Sequence, residues 1–480
     1  MDITVDLSSL QALLNLPPDQ VFGVFFANFG WVFLGIIFLL GAKDVWLYYK
    51  QNKWSESHKN VLLAIDIPKG NEQTPKAVEN MFSYLGGAHG SQNFYEKWFE
   101  GQYQKSFSYE IVSLEGYTQF LIRTPVEFRN LIESSVYSQY PDAEISEVDD
   151  YVETVPQRYP DEEWDIFGSE FILQSPWYLP IKTYPEFEHQ IGPSETQFKD
   201  PMASLMDLCG SLRQGEQFWF QMVVTPTGFD WAKDSQAQLD KILGRKKKAK
   251  PGLFIRLLEL IGNLSEIIFP IWQDIDGSKS DKDDKRTMLD LTPVEKRQVE
   301  GIHLKSVKMG FQTKIRIIYV AKKEVMNKAK VANGFVGYIK QFISLDLNSF
   351  KPDLKKTMTK TVYFNKDSRL VTKKRKIFRN YINRSNYGRE PFLLNIEELA
   401  TLWHFPVEAN VKSPLVQKAP GRKADAPSSL PLAEEITSSS PDIFTGFSSG
   451  GYQSANHHSS RHDQAVEAPP ASPPANLPIV

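Results

Sequence analysis

The hydrophobic pattern opens on one long apolar run. Val21 to Ala42 reads VFGVFFANFGWVFLGIIFLLGA and carries no Asp, Glu, Lys, Arg or His. As a helix it spans about 33 Å, enough to cross a hydrocarbon core of about 30 Å. Residues 1–20 hold Asp2, Asp6 and Asp19 but no Lys or Arg, and no small-x-small site follows the run. That argues against a cleaved leader and for a permanent transmembrane helix.

Beyond residue 59 the period changes. From Asn60 to Tyr151 the segments read β-α-β-β-α-β. VLLAIDI puts Val61, Leu63, Ile65 and Ile67 on one strand face. Thr74-Pro75 opens a helix as N-cap and N1, with a stripe of Val78, Met81, Phe82 and Leu85. Phe107, Tyr109 and Ile111 alternate along the next strand, and Glu115-Gly116 turns it into YTQFLIR. The tetrapeptide TPVE at 124–127 predicts a capping box for a second helix with Phe128, Leu131, Ile132 and Val136 inward. AEISEV closes the unit. Two such halves predict a ferredoxin-like domain over 60–151.

A second α+β domain is expected over 164–406, its order compatible with another, elaborated ferredoxin-like unit. Its strands are EFILQS, FWFQMVV and TKIRIIYV. TPVE recurs at 292–295 as a second expected capping box. The last helix, NIEELATLWHFP, has Asn395 as cap, Glu398 at N3, Leu399, Leu402 and Trp403 inward, and Pro406 as its stop. An insert at 245–290 interrupts this domain. Arg245, Lys246, Lys247, Lys248 and Lys250 precede an amphipathic run with Phe254, Leu257, Leu258 and Ile261 on one face. A basic run beside an apolar helix face is expected to touch an anionic lipid surface, or else to pack on its own domain. From 407 to 480 the chain is rich in Pro, Ser, Ala and Gly. Such a composition buries too little apolar surface to offset chain entropy and predicts a disordered tail.

Charge sets the orientation. Lys43, Lys50, Lys53 and Lys59 follow the apolar run, with Trp46, Tyr48, Tyr49 and Trp54 among them in the 43–59 juxtamembrane segment. By the positive-inside rule the N-terminus lies outside and the bulk of the chain inside the cell membrane. A net charge of −3 excludes a globally basic nucleic-acid binder. The single cysteine, Cys209, excludes an intrachain disulfide and reads as a buried core thiol.

Catalytic motifs are missing. The sequence has no GxxxxGK[ST], HExxH, GxSxG or GxGxxG. His457, His458 and His462 have metal-like spacing but fall in the expected tail. His303 and His404 read as isolated packing or surface residues, and Asp149, Asp150, Asp161, Glu162 and Glu163 as a solvated linker. No catalytic residue, cofactor or metal is therefore expected. One basic constellation remains: Lys373, Lys374, Arg375, Lys376 and Arg379, followed by Arg384 and Arg389, interleaved with Phe378, Tyr381 and Tyr387. Cations with stacking aromatics suit single-stranded nucleic acid. On a helix, Ile377, Phe378, Tyr381 and Ile382 instead form a core face with a solvated basic back.

NVLLAIDIPKGNEQTPKAVENMF, FWFQMVV, FQTKIRIIYVAK, NIEELATLWHFP and the proline-rich connector, after a membrane helix, resemble the N-terminal half of membrane-associated type IV secretion and conjugation ATPases. The resemblance covers residues 20–432. In that family the connector leads into a motor with a Walker A loop, whereas this sequence has none after Pro431. The resemblance implies a non-enzymatic, single-pass accessory subunit that docks a separately encoded ATPase at the cytoplasmic membrane face. A membrane-tethered single-stranded nucleic-acid binder using 372–389 is the alternative, and homo-oligomers suit either reading.

Overall fold

The computed structural model describes residues 18–68, 71–190, 196–244, 291–386 and 388–407. The chain divides into a compact unit, 1–422, and a second, 423–480, outside the described residues. The expected insert helix and lipid-contact residues, Arg245 to Ile261, also lie outside them, as do Tyr387 and the expected tail from 408.

Helix α1 runs unbroken from Pro18 to Glu56. Pro18 sits where a helix tolerates proline best, at its first turn. The helix therefore continues well past the apolar run and through the expected juxtamembrane segment. Then come β1 (Asn60–Asp66), α2 (Pro75–Leu85), β2 (Phe107–Leu114), β3 (Tyr117–Pro125), α3 (Arg129–Gln139) and β4 (Glu144–Glu147). These strands lie in the order β4-β1-β3-β2, every neighbour antiparallel.

The same arrangement follows a second time. Strand β5 (Trp164–Leu173) leads through a small hairpin, β6 (Glu188–Gln190) and β7 (Thr196–Phe198), to α4 (Met202–Gly210) and β8 (Glu216–Pro226). Helices α5 (Asp230–Ile242) and α6 (Pro293–Ser306) flank the insert. Strand β9 (Gly310–Lys322), helix α7 (Lys328–Lys340) and β10 (Phe350–Pro352) complete the unit. Its order is β10-β5-β9-β8, again antiparallel throughout. The second strand of each unit meets its counterpart: β2 pairs with β8 from Phe107↔Val224 to Leu114↔Gln217. Among the described residues nine strands thus form one sheet, through both segments expected as separate domains.

Helix α8 (Lys366–Ile382) crosses one face of this sheet. Strand β11 (Phe392–Asn395) pairs with the start of β9, and α9 (Ile396–Leu402) follows. The opposite face packs α2, α3, α4, α7 and α9 into one apolar core. Helix α9 is the wedge between the two units. Trp403 is fully buried, with ring centroids 5.0 Å from Tyr109 and 5.6 Å from Phe120. Tyr338 Oη donates to the Leu402 carbonyl at 2.8 Å.

One expected helix start fails. Thr124 and Pro125 belong to β3, opposite Val61 and Asn60 of β1. Thr124 is buried in the ladder, Glu127 turns to Lys105, and α3 begins at Arg129 without a side-chain cap. The ladder holds Thr124 in extended backbone and extends β3 beyond the expected cap.

Candidate functional site

Two regions stand out, one outside the body and one inside it. Outside is the first part of α1. Trp31 is 71% exposed and Phe38 73%, and Leu34, Ile36, Ile37, Leu39 and Leu40 are exposed with them. Among the described residues no helix is long and apolar enough to cross a membrane. Of the expected span 21–42, the side chains of 21–30 and of Phe33 lie outside the description. From Lys43 onward the helix meets the body. Trp46 Nε1 donates to the Trp98 carbonyl at 3.0 Å, and Trp54 stands 4.9 Å from Tyr103.

The inner region is a row of polar side chains across the sheet, under α8. Register places Glu110 of β2 opposite Gln221 of β8, Gln221 opposite Arg316 of β9, and Arg316 opposite Glu170 of β5. All four are buried. Glu110 accepts from Ser108 Oγ (2.6 Å), Tyr151 Oη (2.8 Å), Gln221 Nε2 (2.9 Å) and Arg384 Nε (3.0 Å). Burial alone would raise its pKa, but the Arg384 guanidinium and these donors hold it below the ordinary carboxylate range. Arg384 also pairs with Asp150. Arg316 Nε donates to Glu170 at 2.8 Å, and its Nη1 reaches Gln221 and the Asn380 carbonyl. Burial holds the Arg316 guanidinium below its usual value, against the pull of Glu170.

Arg384 sits just past α8 with φ +47°, a left-handed conformation in which glycine is usual. A longer side chain at that position aims a cation back under the helix. Tyr151 and Tyr381 share a hydrogen bond of 2.9 Å, and burial raises both phenols. Charges and donors in this row face one another. That arrangement fixes sheet against helix, and its groups are already coordinated by protein.

The basic segment is held mostly by partners outside that row. Lys373 Nζ donates to the carbonyls of Met358 and Lys360. Lys374 is buried against Asp165, and Arg375 Nε donates to the Tyr159 carbonyl. Lys376 and Arg379 are exposed. Arg389 reaches Asp353 at 3.0 Å. Ile377, Phe378 and Tyr381 are core, as their helical spacing predicts, and Ile382 is half-buried. Near Arg389 an open cleft of about 400 Å³ is lined by Ile172, Trp177, Lys356, Glu390 and Phe392.

Sequence reasoning missed several partnerships because their members are far apart in the chain. Asp150, read as a solvated linker acid, binds Arg384 across 234 positions. His404 is buried and bonds Asp200 at 3.0 Å. Burial would raise Asp200, yet His404 and backbone donors hold its carboxyl low. Lys305 and Glu398 form a buried pair at 3.0 Å, and burial pushes the Lys305 amine down. Alternation concealed the row: Glu110 and Arg316 take the positions between Tyr109 and Ile111 and between Ile315 and Ile317, where a half-exposed strand would carry solvent-facing polar residues. Cys209 is buried, its thiol pushed up to about 12 by burial. Among the described residues no group of His, Cys, Asp and Glu is placed to hold a metal ion.

No curated protein matches the chain. A family model matches residues 51–414, from the end of α1 through both β-α-β-β-α-β units and α9, so the chain belongs to the family described as Domain of unknown function (DUF8128).

Proposed function

We propose that this chain is a single-pass membrane subunit that presents two ferredoxin-like units, paired into one platform, at the cytoplasmic face. There it docks a separately encoded secretion- or conjugation-type ATPase. The carrying observation is α1. Seven large apolar residues between Trp31 and Leu40 stand exposed on a helix whose later turns pack on the body. Leaving them in water costs on the order of 10 kcal/mol, which an acyl layer removes. The sequence from Val21 supplies the remaining length, and the lysines after Ala42 supply the orientation.

The platform reading is non-enzymatic. It is supported by the inner row, where Glu110, Arg384, Arg316 and Glu170 coordinate each other. The docking role rests on the order of segments, which resembles that of the N-terminal halves of secretion ATPases. Two measurements test the proposal. A cysteine placed at Ser8 is expected to react with an impermeant reagent from outside, and one at Ser106 only after permeabilisation; the reverse pattern overturns the topology. Affinity capture from detergent-solubilised membranes is expected to recover a Walker-A motor protein. Capture without one, together with salt-sensitive retention on single-stranded DNA, favours the nucleic-acid alternative.

A further inference from the structure

Residues 91–105 leave the body between α2 and β2 and run along α1. They meet a single stripe of that helix, in which Lys43, Trp46, Lys50 and Trp54 recur at three- and four-residue spacing. The Lys43 ammonium lies 5.9 Å from the Trp98 ring centre, and the Trp98 carbonyl accepts from Trp46. Gly101 comes next, at φ +81°. A Cβ there would lie 2.3 Å from the Lys50 carbonyl carbon, so only glycine permits the approach. Tyr103 then packs on Trp54, and Lys105 lies 5.0 Å over the same ring. Successive residues meet successive turns, so the bend at 94–99 is the end nearest the apolar part of α1.

That bend is a five-residue π-turn, Glu96–Glu100, and it presents aromatics outward. Phe94 is 72% exposed, Tyr95 60% and Phe99 49%, with Tyr95 and Phe99 stacked at 5.2 Å. Its acids are engaged within the turn: Glu96 accepts from the Asn93 amide at 2.8 Å and Glu100 from Gln102 Nε2 at 2.7 Å. Helical rise fixes the depth. Trp46 lies about 6 Å beyond Ala42 along the axis. The polar layer on each side of the hydrocarbon is about 5–8 Å thick. Trp98, bonded to Trp46, therefore stands at headgroup level.

We propose that Phe94, Tyr95 and Phe99, with Trp46, form a second membrane contact, an aromatic foot inserted into the headgroup layer of the cytoplasmic leaflet. The amphipathic Tyr and Trp rings favour that layer, and the Phe rings add apolar surface on its acyl side. Lys43, Lys50 and Lys97 are matched by Asp44, Glu96 and Glu100, so the foot reads lipid by its rings and binds zwitterionic bilayers. Two contacts fix the platform's tilt, where a lone helix would leave it swinging. The inference rests on the proposed anchoring by α1, and its test separates the two.

The full chain in phosphatidylcholine nanodiscs carries an environment-sensitive fluorophore on Leu39→Cys, Tyr95→Cys or Phe99→Cys. Cys209, being buried, stays unlabelled in folded protein, so its labelling identifies and discards unfolded samples. Labels at 95 and 99 are expected to lose emission to a nitroxide on the lipid headgroup, and the label at 39 to one deep in the acyl chain. Quenching of 95 and 99 by aqueous iodide alone, with 39 still deep, overturns the foot and leaves the anchor standing. Protection of 95 and 99 from both quenchers also overturns it, in favour of a protein partner or a second copy. Iodide quenching at 39 overturns the anchor itself.

Discussion

On the helix-covered face of the sheet β2 presents Phe107, Tyr109 and Ile111, and β8 presents Phe218, Phe220 and Met222. On the other face the same strands present Ser108, Glu110 and Val112, and Trp219 and Gln221. Both faces are buried. The first is closed by five helices through apolar contact, which is non-directional and tolerates sliding. The second is closed largely by α8, through a smaller apolar cluster around Trp219, Ile318 and Phe378 and, beside it, through hydrogen bonds and ion pairs that accept one register. The difference suggests a division of labour. The apolar face supplies bulk stability, and the polar row fixes how the two units and α8 fit together.

The largest effects break the two faces separately. Trp403→Ala, on the helix-covered face, is expected to cost about 3–5 kcal/mol in denaturant unfolding, independent of pH. Arg384→Met is expected to cost about 3–5 kcal/mol near neutral pH, because Glu110 is left buried without its cation. That cost depends on pH. In the native chain Glu110 is held below the ordinary carboxylate range. Its contribution is present above the unfolded pKa and is lost as pH falls through the folded one. In Arg384→Met the orphaned carboxyl takes up a proton more readily, so the gap between variant and native chain narrows in acid. A Glu110→Gln, Arg384→Met double variant is expected to recover about 1–3 kcal/mol in a double-mutant cycle. A strictly additive cycle sinks the idea of a coupled row.

Asp66 sharpens the contrast with the opposite sign. It lies on β1 opposite Glu144 of β4, and burial, then Glu144, raises its carboxyl to about 6. A raised folded pKa means that charged Asp66 destabilises the chain above about pH 6 and that the penalty fades as pH falls toward its ordinary value. Asp66→Asn is expected to gain about 1–2 kcal/mol near pH 7.5 and nothing near pH 4, read as the difference in melting temperature.

The smallest effect separates two copies of one tetrapeptide. Thr292→Ala removes the TPVE cap of α6 and is expected to cost about 1 kcal/mol. Thr124→Val, in the copy whose Thr-Pro ends β3, is expected to shift stability by less than about 0.5 kcal/mol, since a β-branched side chain suits a strand. Equal costs at the two sites, in the same unfolding assay, contradict the structural distinction between them.

Much of the architecture was legible in the chain. Local periodicity located most strands and helices; Thr74 and Pro75 marked the start of α2, where Thr74 makes no side-chain cap bond, and Asn395 with Glu398 marked the capping box of α9. The core phase of α8 followed from Ile377, Phe378 and Tyr381 alone. These features depend on neighbours three or four residues apart, which a sequence displays directly. TPVE marks the boundary of that knowledge. At 292–295 it forms a capping box, with Thr292 and Glu295 bonded reciprocally. At 124–127 Thr124 and Pro125 instead end strand β3, because β1 lies alongside and a ladder outweighs a cap of about 1 kcal/mol. Tertiary structure alone decided the β2–β8 pairing, the wedge of α9, and the partners of Asp150, Glu398 and His404. Those contacts join residues about 60 to 290 positions apart. Their energy comes from removing charged and polar groups from water together, and no local pattern records which groups will meet.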